Sequence, residues 1–247
     1  MRKKLSCLTL LFLSPIVFFS CKKGDGNSVT PKSQISKVTL KGDGYTDQYV
    51  LSYNASGEVS KIVVSGSLSY TINYSYTAQY KVGTYESATG IFALDSTVLS
   101  NGKVIQNVHI DKDHGDTITT AYTYDNSGNL TQVTESESFS ENSTAYTWQN
   151  GNVVGISSPT STNTTTYTYD ANAVFQAGDY LYVNDLIKNG ASVILNKNLV
   201  TGSTATYPGT TITKTFVYDK DSKGRIIKCS EVEALGTGNV WTYEYNN

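Results

Sequence analysis

Tyr122-Thr123-Tyr124-Asp125-Asn126-Ser127-Gly128-Asn129-Leu130-Thr131-Gln132-Val133 decides how the chain is read, because the same phrase returns along it. Its elements are an aromatic, any residue, a second aromatic, a polar turn closed by glycine, then apolar residues two and five positions after the glycine. Leu51 to Gly57 with Val59 and Ile62 is a copy in which Leu51 replaces the first aromatic. Tyr146 to Gly151 with Val153 and Ile156 shortens the turn, and Phe216 to Gly224 with Ile226 and Cys229 lengthens it. A repeated hairpin unit of this kind is the first thing to settle before any element is assigned. Large and small side chains alternate before each turn, which is the two-residue period of a half-buried strand. The offsets of two and five have opposite parity. A regular strand would send those two apolar side chains to opposite faces and a bulge would bring them to one, and the residues leave both open.

Outward from these copies the pattern continues. Tyr70, Ile72, Tyr74 and Tyr76 alternate with Thr71, Asn73 and Ser75, and Trp241, Tyr243 and Tyr245 with Thr242 and Glu244. Asn101-Gly102 and Asn150-Gly151 are tight hairpin turns, since both residue types accept positive φ. One stretch has a helical period: Asp179 as N-cap, a stripe of Tyr180, Val183, Leu186 and Ile187, Lys188 in the last turn and Gly190 beyond it. The chain has 19 tyrosines. Each can bury on the order of 150–250 Å², and a monomer rarely leaves such a face in water. The expected fold is therefore all-β, an antiparallel meander of hairpins forming a strongly curved sheet, half-barrel or barrel, with one short helix near 179–189. A sandwich would also cover the aromatic face.

The N-terminus is of another kind. Met1-Arg2-Lys3-Lys4 precedes an apolar stretch from Leu8 to Phe19, broken by Ser14 and Pro15, and then Cys21. The order is that of a secretory signal peptide, and the stretch is too short for a membrane helix. Val17-Phe18-Phe19-Ser20-Cys21 resembles a lipobox, with Phe18 where leucine is usual, so Cys21 is the expected lipid attachment site and residues 1–20 the leader. Residues 21–33 read as a flexible tether and 34–247 as a single β domain. Once Arg2, Lys3 and Lys4 are removed, sixteen basic residues face 21 acidic ones, a net charge of −5. An acidic chain without basic clusters is not a nucleic-acid binder. Of three cysteines, Cys7 leaves with the leader and Cys21 is lipidated, so Cys229 has no disulfide partner.

Tyr122-Thr-Tyr-Asp-Asn-Ser-Gly, Trp148-Gln-Asn-Gly-Asn-Val, Tyr167-Thr-Tyr-Asp-Ala-Asn with the helical insert, and Phe216-Val-Tyr-Asp resemble Bacteroidetes lipoproteins carrying the domain of unknown function numbered 4595. That resemblance covers most of the mature chain and implies a porin-like, curved antiparallel fold. The phrases are also similar, less closely, to the tyrosine-aspartate repeats of Rhs-type shell proteins, whose length and glycine-rich spacing this chain lacks. Neither resemblance brings a catalytic residue with it.

Several constellations could carry chemistry. His109 to Asp116 holds both histidines with Asp111, Asp113 and Asp116, but a calcium loop would need a carboxylate where Tyr122 stands, and zinc would need a third ligand. A solvated hairpin loop between Val108 and Ile118 is the expectation. Cys229 sits at a core position of the repeat. Glu135, Glu137 and Glu141, or Glu231 and Glu233, could supply an acid pair for glycoside hydrolysis but are expected to form solvated strand faces. Trp148 and Trp241 are candidates for ligand stacking, with core packing the simpler role. Ser96 and Thr117 lie in Asp-Ser-Thr and Asp-Thr-Ile, short matches to an O-glycosylation motif. No cofactor is called for. The expected function is that of a non-catalytic envelope lipoprotein, anchored to the periplasmic or outer face of the outer membrane, with a binding or scaffolding domain whose ligand the residues do not specify, a glycan or an envelope protein being the candidates. The alternative is a glycan-binding or glycan-hydrolysing surface lipoprotein.

Overall fold

A computed structural model describes residues 33–159, 161–233 and 236–246. The leader, Cys21 and nearly all of the tether lie outside them. The strands are β1 (Ile35–Gly42), β2 (Tyr45–Tyr53), β3 (Val59–Ser65), β4 (Tyr70–Tyr76), β5 (Tyr80–Ser87), β6 (Gly90–Ser100), β7 (Lys103–Asp111) and β8 (Thr117–Tyr124) in the first half. β9 (Leu130–Glu137), β10 (Ser140–Gln149), β11 (Asn152–Ser157) and β12 (Thr164–Val174) follow, then helix α1 (Tyr180–Asn189), then β13 (Asn198–Tyr207), β14 (Thr210–Lys220), β15 (Ile226–Glu233) and β16 (Gly236–Tyr245). Each strand pairs antiparallel with its neighbours in sequence, and β1 pairs with β16, so the 16 strands close a barrel. Of the curved-sheet alternatives, the closed barrel is the one adopted, and the short helix stands where its caps place it.

The register explains the parity of the hairpin phrase. Across β2 and β3, Tyr53 faces Val59 but Ser52 faces Lys61, so Ser60 is an extra, bulged residue. Thr131, Val154 and Ile227 are the extra residues in the corresponding hairpins. A bulge reverses the alternation once. Val59 and Ile62 therefore both point inward and are buried, as do Ile226 and Cys229. Gly57, Gly128 and Gly224 each donate their N–H to the carbonyl three residues earlier, of Asn54, Asp125 and Asp221. The side chains of those three residues also accept main-chain N–H groups inside the turn. The Phe216 copy thus has the same turn as the Leu51 and Tyr122 copies, built on Asp221. Its strand runs two residues further, so the turn is not lengthened, and Tyr218 sits deeper than Tyr53 or Tyr124 does.

A 16-stranded barrel is wide enough to leave an aqueous channel. Here the lumen is occupied. α1 lies within it, burying Val183, Leu186 and Ile187 against Leu51, Ile62, Ile72, Phe216 and Trp241 of the wall. Tyr180 stacks on Phe216 with ring centroids 4.1 Å apart and meets Trp241 edge-on at 5.2 Å. Gly190 ends the helix at φ 66°, where a side chain would also strike the ring of Tyr74, so this position needs glycine for conformation and for space. A smaller cluster of Leu130, Val153 and Ile194 packs with Tyr122, Tyr146 and Trp148 on the opposite wall.

The outward positions are of the opposite character: Lys37, Thr39 and Lys41 on β1, Thr46 and Ser52 on β2, Thr164, Thr166, Thr168 and Asp170 on β12, Thr242 and Glu244 on β16. Apolar residues such as Val50, Val82 and Val217 interrupt them.

Candidate functional site

At the end of the barrel that carries these glycine turns, aromatic side chains close six strand pairs in one way. Tyr53 donates its hydroxyl to the carbonyl of Ile35 at 2.7 Å, Tyr76 to Val59 at 2.7 Å, Tyr124 to Val104 at 2.7 Å, and Tyr245 to Ile226 at 2.5 Å. Tyr169 donates to Val153 at 2.5 Å, and Trp148 uses its indole N–H on Leu130 at 2.7 Å. Every acceptor is the residue just before a bulge, beyond the last pair of the ladder with the aromatic's own strand. The aromatic supplies the donor that the sheet no longer does. Each such bond contributes about 0.5–1.5 kcal/mol net.

Between this collar and the end of α1 lies a cavity of about 540 Å³, within the roughly 300–1,000 Å³ typical of small-molecule sites. Tyr76, Tyr124, Trp148 and Tyr182 line it, with Lys81, Lys103 and Glu58 as its charged residues. Lys81 is 7% exposed and donates to the carbonyl of Asn189 at 2.6 Å, at the end of α1. Its ammonium lies 5.2 Å from the centroid of Tyr74, and burial pushes its pKa below the usual lysine range. Lys103 lies over the ring of Tyr124 at 5.0 Å. A single buried carboxylate with three partners stands beside this wall: Asp95 accepts from Tyr85 at 2.5 Å, pairs with Nδ1 of His109 at 2.8 Å, and accepts from Asn107 at 3.4 Å.

The eight-residue His/Asp stretch is split by the fold. His109 belongs to β7 and pairs with Asp95, while Asp111 holds the turn to β8 by accepting the N–H groups of Asp113 and His114. The loop is therefore shorter than the span from Val108 to Ile118, because β7 runs to Asp111 and β8 begins at Thr117. No cluster of three metal-ligating side chains occurs among the described residues. Ser96 and Thr117 are both exposed, although Asp95 beside Ser96 is buried. Glu135, Glu137 and Glu141 are exposed.

Glu231 and Glu233 depart from the solvated face expected of them. Glu231 is 1% exposed, and Lys214 bridges it to Glu233 at 3.3 and 3.1 Å. The bulge at Ile227 turns these alternate positions toward the lumen, where a shared lysine compensates the carboxylates. Trp148 fills a collar position and lines the cavity, whereas Trp241 is 3% exposed in the core, so a ring face is open to a ligand only at Trp148. Lys81 and Lys103 carry no motif in the sequence. The signal for Lys81 would have been parity, since it shares the inward face of β5 with Gly83 and Tyr85 while Tyr80 and Val82 point out.

Cys229 is fully buried, and burial pushes its thiol up to about 12. Without thiolate it reacts slowly. In a protein lacking Cys21, a thiol reagent at neutral pH should label Cys229 only at the rate of unfolding, and at once in denaturant. Rapid labelling of the native protein would contradict the packing.

No protein-family model and no curated protein matches the chain. Solved structures do. It is similar to a porin-like protein from Bacteroides uniformis at a TM-score of 0.61 and 16% identity, over 86% of this chain and 96% of that one. It is equally similar in fold, at a TM-score of 0.61 and 14% identity, to a porin-like protein from Bacteroides vulgatus, over 87% of this chain and 99% of that one.

Proposed function

We propose that the chain is a non-catalytic envelope lipoprotein whose barrel stands in water beside the outer membrane, tethered through Cys21, and offers its mouth as a binding site. The observation that carries this is the sidedness of the barrel. A barrel that spans a bilayer turns an apolar band outward and keeps a polar lumen. This one packs its lumen with aromatic rings and a helix, and faces outward with threonine, serine, lysine and glutamate. A lysine on a lipid-facing strand costs about 2–4 kcal/mol at mid-membrane, and Lys37, Lys41 and Lys61 all project outward. The likeness to porin-like proteins from Bacteroides lies in the fold. It is compatible with the resemblance of the hairpin phrases to lipoproteins bearing the domain numbered 4595, and it suits an outer-membrane location without a pore. A non-catalytic role is supported by the state of the acids, since Glu231 and Glu233 share Lys214 and Asp95 is held by His109, Tyr85 and Asn107.

Fractionation tests the proposal. Wild type should sediment with membranes through an alkaline carbonate wash and incorporate a fatty-acid label, since two or three acyl chains hold a protein firmly at about 0.8 kcal/mol per buried methylene. Cys21→Ala, exported on a leader that is cut without lipidation, should take no label and remain in the soluble fraction, folded, without detergent. A Cys21→Ala protein that still sediments and needs detergent would show a barrel held by its own strands.

A further inference from the structure

The mouth cavity has a chemical bias that the reading of a water-side binding domain does not specify. Lys81 is buried, yet its ammonium has one hydrogen bond, to the Asn189 carbonyl, and no carboxylate within 4.0 Å among the described residues. An ammonium has three donors, and a buried cation without a counter-ion is costly. Asp95 is the acid whose charge acts on it, from beyond ion-pair distance, and that carboxylate already holds its own three partners. The charged residues of the cavity are Lys81, Lys103 and Glu58, an excess of one positive charge. Around them the rings of Tyr76, Tyr124 and Trp148 have spent their polar atoms on barrel carbonyls, so what they turn to the cavity is ring surface.

We propose that this cavity binds a small organic monocarboxylate with a ring-shaped body, its acid group pairing with Lys81 and its body lying among Tyr76, Tyr124 and Trp148. A single negative charge matches the excess of one. A phosphate dianion would overshoot it. Lys103, exposed at the rim over Tyr124, adds attraction for the incoming acid. Acidic sugars and aryl carboxylates share this chemistry, both presenting an apolar ring face and one carboxylate.

The proposal rests on the reading of the barrel as a binding domain, and the Cys21→Ala fractionation decides that reading without any ligand. For the site itself, the soluble Cys21→Ala chain is titrated by calorimetry and tryptophan fluorescence with glucuronate and phenylacetate, and with their neutral partners glucose and phenylacetamide. At least one acid should bind, about tenfold or more tightly than its neutral partner, which is the worth of a hydrogen bond to a charged group. Which acid binds separates a sugar from an aryl source. Lys81→Met should lose that preference while keeping the unfolding midpoint. Lys103→Glu, at the exposed rim, should weaken the acids alone and serves as the test should Lys81→Met fail to fold. Neutral partners binding as well as the acids, neither acid binding at millimolar concentration, or an acid preference unchanged in the folded variants would overturn the assignment.

Discussion

Trp241→Ala is expected to lower the stability of the barrel by about 3–5 kcal/mol, the usual cost of emptying a buried tryptophan site, and the unfolding midpoint by roughly 10 °C for a domain of this size. The ring is 3% exposed, is paired across the sheet with Leu40 and Cys229, and supports the edge of Tyr180 on α1. Its loss therefore loosens the wall and the helix together. Trp148→Ala should cost less, about 2–3 kcal/mol, since its ring is half-buried and the main loss is the indole donor to Leu130, whose carbonyl is left without it. Thermal unfolding of both variants gives the order. A Trp241→Ala midpoint within error of wild type would mean that the barrel does not depend on its lumen, and a larger loss at Trp148 would reverse the assignment of core and mouth.

The all-β meander was legible because its hairpin phrase repeats. Asn54, Asp125 and Asp221 each build one turn with the following glycine, and turn chemistry of this kind is local. The helix was legible for the same reason: Asp179 caps it and Gly190 ends it. Closure was not, since the pairing of β1 with β16 joins residues such as Val38 and Tyr243 that are remote in sequence. Nor was the direction in which each face points. In Tyr80-Lys81-Val82-Gly83-Thr84-Tyr85 both alternating sets contain one tyrosine, and the barrel takes the set with the lysine inward.

The site was the least legible part. Tyr53, Tyr76, Tyr124 and Trp148 stand out in the sequence as strand residues, but their shared task, closing the carbonyl before a bulge, exists only once each bulge has shifted the register. Glu231 and Glu233 alternate like solvated carboxylates. Only the inward turn of β15, with Lys214 opposite on β14, buries Glu231 and bridges it to the half-buried Glu233. Lys81 needs three elements at once, namely β5, the end of α1 and the cavity between them.

Asp179→Asn is expected to remove a fall in stability that wild type shows as pH rises from about 4 to about 7. Asp179 is fully buried. One carboxylate oxygen accepts the N–H groups of Leu181 and Tyr182 at the start of α1, and the other accepts that of Val200 on β13. Those three bonds favour the charged form, but burial outweighs them and raises the pKa from 3.8 to about 7. The folded protein thus holds the proton more tightly than the unfolded chain. Its contribution is fully present below the unfolded value and is lost as pH rises through the folded one, an effect on the order of 4 kcal/mol. Asparagine cannot ionise, so the variant should have a flatter profile over that range. It sacrifices one acceptor, because its amide must turn an N–H group toward either Val200 or the helix. Asp179→Ala sacrifices both, leaving three buried N–H groups and an uncapped helix, for a loss of about 3–5 kcal/mol at pH 5. Denaturant titrations of the three proteins at pH 4, 5.5, 7 and 8 separate capping from charge. Parallel pH profiles for wild type and Asp179→Asn would mean that Asp179 is ionised throughout, with its three N–H partners outweighing its burial.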